Sequence, residues 1–147
     1  MPPLDLSPGE LFDRQAILEL KAQHAPSAER QAAAIRELDA VTAALADVPA
    51  HEVYWHVSEL RRINAYLWQL EDDVRALLTA NDLGTEFIKI AARIPRLNDE
   101  RARCKTHINQ KLGAATAIDD KVYTSGPPPR PTSGPPPRPP SGQPRRV

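Results

Sequence analysis

Cysteine is almost absent from this chain. Cys104 stands alone in 147 residues, which excludes an intramolecular disulfide and a thiolate metal cage. Aromatic residues make up 5%, and most of them crowd into one stretch rather than spreading through several cores. Glycine is scarce outside the C-terminal segment (Gly9, Gly84, Gly113), so there is no glycine-rich phosphate loop, and no GxSxG nucleophile motif. The four histidines (His24, His51, His56, His107) form no i,i+4 pair and no HExxH. Neither a metal nor another cofactor is therefore expected. No run approaches the ~18 consecutive apolar residues of a membrane span. The N-terminal MPPLDLSPGE lacks the basic region and apolar run of a signal peptide. The expectation is a cytoplasmic protein that does not engage a membrane.

Proline is the exception to this scarcity. Ten of the 16 prolines lie between Pro127 and Pro144, and the composition changes near Tyr123. Charge divides at the same point. The tail from Thr124 holds four arginines and no acids, leaving 15 basic residues against 19 acidic ones in the body. The formal neutrality of the chain thus hides an acidic body and a basic tail. An acidic body argues against nucleic acid as partner, since phosphate binding needs a clustered basic face. The division expected is a helical domain over 1–123 and a proline/arginine-rich disordered tail over 124–147.

The tail repeats eight residues: Ser125–Thr132 reads SGPPPRPT and Ser133–Pro140 reads SGPPPRPP. Such a segment has no apolar face to bury and samples polyproline II. Pro127, Pro128, Pro129, Arg130 and Pro131, with Pro135, Pro136, Pro137, Arg138 and Pro139, resemble ligands of aromatic-lined grooves. The arginines are not at the flanking spacing of the common PxxP classes. A solubilising extension is the competing reading.

The body is organised around His51–Asn81, which holds no proline or glycine and both tryptophans. Its apolar residues recur at helical spacing. Val53, Leu60, Leu67 and Val74 share one heptad position, and Val57, Asn64, Glu71 and Leu78 the partner seam. Ile63, Leu70 and Leu77 widen the stripe to face more than one neighbour. Before it, Ser7-Pro8-Gly9-Glu10 reads as a capped helix start with a capping box. That helix should run to His24. A second, alanine-rich helix should be capped by Ser27 and end before Val48-Pro49. After it, Gly84 should supply a left-handed cap and Thr85 the start of a fourth helix. Pro95 should kink or interrupt that helix, with Asn98 capping a restart that reaches Leu112.

Two polar features could carry chemistry. Asn64 and Glu71 interrupt the apolar seam; a register-setting hydrogen bond with Glu71 turned to the rim is the simpler account. At the Pro95 break, free N–H groups beside Arg96 and Arg101 would suit an anion, although capping by Asn98, Asp99 and Glu100 is favoured. Together Arg61, Arg62, Asn64, Glu71, Asn98 and Arg101 form the candidate polar or anion-binding cluster. Cys104, among Arg101, Arg103 and Lys105, reads as an ordinary half-buried cysteine.

SPGELFDRQAILELK, LRRINAYLWQLEDDVR and NDERARCKTHINQKLG together resemble a bacterial family of small all-helical proteins catalogued as a domain of unknown function. The resemblance spans Leu6 to Tyr123 and implies the helical fold. Leu60-Arg61-Arg62-Ile63-Asn64 with Leu67, Leu70 and Val74 also looks like the first helix of the all-helical chorismate mutases. The second arginine that family needs falls on Leu78 or Thr79, and Lys89 lies beyond Gly84. The fold expected is all-α: four main helices packed as antiparallel hairpins. The function expected is a non-enzymatic scaffold or adaptor with a protein partner, including a homodimer through the third helix. A small helical enzyme or anion binder is the alternative.

Overall fold

A computed structural model describes residues 6–113 of the chain. The tail expectations at 124–147, and the domain boundary drawn there, lie outside the described residues. Four helices form in order: α1 (Pro8–Gln23), α2 (Ala28–Ala44), α3 (Tyr54–Thr79) and α4 (Thr85–Lys111). No strand occurs among the described residues. The helices pack as two antiparallel hairpins, α1 with α2 and α3 with α4, and α1 lies against both α3 and α4.

Local chemistry explains most boundaries. Ser7 caps α1, its Oγ accepting the Glu10 N–H at 3.3 Å, and Pro8 occupies the first turn. The Glu10 side chain does not close a capping box; its Oε1 accepts instead from Lys105 Nζ on α4 at 3.1 Å. Ser27 caps α2 by accepting the Arg30 N–H at 3.1 Å. The stretch after Pro49 opens as a single 3₁₀ turn, Ala50–Val53, before α3 begins. At the far end of α3 the left-handed residue is Asn81 (φ 58°), not Gly84. Asparagine tolerates that region better than most residues. Gly84 instead precedes α4 in an extended conformation, and Thr85 is the first helical residue rather than a side-chain cap. At the other end of α4, Leu112 follows the last turn and Gly113 takes φ 71°.

Of the kink or interruption expected at Pro95, the interruption does not occur. α4 runs unbroken through Pro95, so Asn98 restarts nothing. Ile90, Ile94, Leu97, Cys104 and Ile108 hold one face against α3 and α1 across the proline. Pro95 itself is exposed, so water can satisfy the carbonyl its missing N–H leaves unbonded.

The core gathers Leu11, Phe12 and Leu18 of α1, Val41 of α2 with Leu45 just past its end, Leu60, Ile63 and Leu67 of α3, and Cys104 and Ile108 of α4. Both hairpins are therefore fastened through one cluster. The hairpins differ in reach. His24, just past α1, stacks on Trp68 of α3 with ring centroids 5.3 Å apart. α3 continues from there to Thr79, about 16 Å further at the helical rise. Over that length it is flanked by α4, while α2 folds back beside α1, Gln15 reaching Thr42 at 3.4 Å. Among the described residues, the end of the α3–α4 hairpin is an overhang. No helix among the described residues is long and apolar enough to cross a membrane.

Candidate functional site

Among the described residues, three polar or charged side chains are buried: Asp13, Asn64 and Asn109. Burying an ionised carboxylate is costly unless it is paired and hydrogen-bonded. Asp13 on α1 meets that condition from two directions. Arg101 of α4 grips it with both arms of the guanidinium, Nε to Oδ1 at 2.8 Å and Nη2 to Oδ2 at 2.7 Å. Asn64 of α3 donates its amide to the same Oδ1 at 2.9 Å and to the Leu60 carbonyl at 3.2 Å. Lys105, one turn after Arg101, stands 3.6 Å from Asp13 Oδ2 while bonding Glu10.

Burial alone would raise the Asp13 pKa. The hydrogen bonds from Arg101 and Asn64, with the charges of Arg101 and Lys105, outweigh burial and hold the carboxyl below its usual range. The hydrogen bond to Asp13 likewise raises Arg101 above its ordinary value. Two carboxylates face two cations, so the cluster is formally neutral.

The network continues to the start of α1. Asn109 accepts the Gly9 N–H at 2.7 Å and donates to Ser7 Oγ at 3.2 Å. This brings the α1 backbone so close to α4 that a Cβ on Gly9 would collide with the Lys105 carbonyl. Glycine is required at that crossing by space, not by dihedral angle.

The expected cluster is thus divided. Asn64 and Arg101 meet at Asp13, and Asn98 accepts from Arg101 Nη1 at 3.2 Å inside α4. The proposed anion site at a helix restart does not exist, because there is no restart. Arg61 and Arg62 are not in the bundle: each is exposed, paired with Glu19 and Glu59 respectively. Glu71 is also exposed, as the simpler account of the seam held. Lys89 is exposed on α4, beyond the level where Arg93 donates to the Tyr66 hydroxyl at 2.9 Å. The chorismate-mutase pattern is therefore not assembled on one helix.

Sequence reasoning missed Asp13, Lys105 and Asn109. A signal existed: Arg101, Lys105 and Asn109 recur every four residues, as do Gly9 and Asp13, which aligns each set on one helix face. Cys104 is buried, and burial together with Glu59 and Glu100 pushes its thiol pKa up, away from the thiolate form. His107 faces His56 at 5.4 Å, and burial, His56 and Arg103 lower its pKa.

Chemically, the cluster spends its charges on itself. Asp13 is 1% exposed, and each of its oxygens already accepts from a donor. The arrangement locks α1, α3 and α4 in register. Its residues come from the three segments that carry the family resemblance: Ser7, Gly9, Glu10 and Asp13; Asn64; Asn98, Arg101, Lys105 and Asn109. No curated protein and no solved structure matches the chain. One family does, and its match runs past Tyr123, where those segments stop, into the proline–arginine repeat: over residues 3–138 the chain belongs to a family of unknown function (DUF6165).

Proposed function

We propose that the chain is a non-enzymatic helical scaffold that binds a protein partner, with the proline-rich tail as a second docking segment. The supporting observation is the overhang of the α3–α4 hairpin. Leu78, Leu83 and Ile88 are 52%, 53% and 63% exposed there, with Leu77 and Phe87 half-buried beside them. Large apolar residues grouped at one end of a small domain mark a protein contact more often than a solvated surface. The interior supports the same view, since its charged groups are engaged with one another. The partner includes a second copy of the chain, in a dimer through α3.

Leu78→Asp/Ile88→Asp in the full chain tests this. Both sites are over half exposed, so helicity and melting temperature should hold, stability moving by no more than ~0.5 kcal/mol per site. Sedimentation velocity and a pull-down then decide. The substitutions should abolish self-association or the captured partner. If sedimentation and captured proteins match the parent chain, the overhang is not a docking surface.

A further inference from the structure

We infer that the recess between the α1–α2 turn and the middle of α3 binds a small aromatic anion with a single carboxylate or phosphate group. This inference does not rest on the scaffold proposal. The recess has a volume of about 400 Å³, within the range of small-molecule pockets. Its origin is visible in the sequence. α2 presents Ala33 and Ala34 at this level, and two methyl groups cannot fill the angle between the end of α1 and α3. Trp68 and His24 form the aromatic wall, stacked 5.3 Å apart with 25° between planes. An aromatic wall favours a flat ring.

Charge selects further. Lys21 and Arg30 both line the recess, and neither side chain has a hydrogen bond or ion pair among the described residues. Unpaired surface cations are common; two converging on one concavity beside an aromatic stack are a binding arrangement for an anion. Glu37 lines the same recess and reduces its net charge to +1. That balance suits a single carboxylate or phosphate monoester on a ring and disfavours a polyphosphate.

Trp68 reports on its own site once Trp55 is replaced by Phe. Trp55 is 79% exposed and can be changed without touching the core. Adenosine 5′-monophosphate and benzoate, the phosphate and carboxylate probes, are titrated into the full-length Trp55→Phe protein while Trp68 emission is followed. At least one should change the emission saturably below about 1 mM. For that probe, the uncharged parent (adenosine or benzamide) should bind at least about tenfold more weakly. Lys21→Ala/Arg30→Ala should lose at least about tenfold in affinity with an unchanged far-ultraviolet spectrum, since both side chains are exposed. Glu37→Gln should tighten binding. No saturable change with either probe, equal binding of the uncharged parent, or undiminished binding by the double variant would overturn the inference.

Discussion

At Asp13 the energetics of the bundle are most concentrated. Its carboxylate is the common acceptor for α3 and α4, so removing it strands Arg101, Asn64 and part of Lys105 together. Asp13→Ala should cost about 3–5 kcal/mol, as breaking one side of a buried pair does. Asp13→Leu/Arg101→Met should recover much of that loss, because a matched apolar pair leaves no uncompensated charge. Urea denaturation of the two variants measures the difference. The same group sets an acid limb. A carboxyl whose folded pKa is depressed contributes stability that is fully present above its unfolded value of about 3.9. That stability is lost as pH falls through the lower folded value. Acid titration followed by circular dichroism should show this loss below about pH 4. Asp13→Asn should lack that component of the limb; an unaltered acid midpoint in this variant would remove Asp13 as its source.

Among the elements, α4 gives the clearest lesson. A proline inside a helix costs about 3 kcal/mol relative to alanine, and local rules accordingly predict a break at Pro95. The apolar period says otherwise: Ile90, Ile94, Leu97, Cys104 and Ile108 keep steps of three, four or seven residues straight across it. Packing of that face against α3 and α1 outweighs the local penalty. Pro95→Ala should therefore stabilise the fold by about 2 kcal/mol, the helix gain less the entropy alanine restores to the unfolded chain. A melting temperature that falls instead would mean that the proline is needed for α4 to follow α3. Caps at Ser7 and Ser27 were legible because capping is local. Asn64 was legible as a polar interruption of an apolar seam. Its partner Asp13 was not, because it lies 51 residues earlier and no periodicity encodes a long-range pairing. Arg61 and Arg62 misled for the opposite reason. They lie within one turn of Asn64, but Arg62 points about 160° away from it around the helix, and Arg61, only about 60° away, extends outward to Glu19.

For the molecule as a whole, the question is how the bundle and the segment beyond it share stability and binding. The buried apolar residues that stabilise the bundle fall between Leu11 and Ile108 among the described residues, and stability scales with buried apolar area. Residues 125–147 contain a single aliphatic side chain, Val147, apart from their prolines. Deleting 125–147 should leave helicity and melting temperature within error of the full chain. It should nevertheless cost a function. The family match enters this segment as far as residue 138, and the repeated PPPRP carries an arginine in each copy. A partner with an aromatic groove would gain avidity from the two copies if it offers more than one site. The truncated protein should then lose a partner that the full chain retains in a pull-down. Arg130→Ala/Arg138→Ala should weaken the same partner without touching the prolines, since arginine supplies the charged contact of such motifs. Capture of identical partners by all three proteins would limit docking to the helical body. A lowered melting temperature on truncation would show instead that residues 125–147 contribute to the fold.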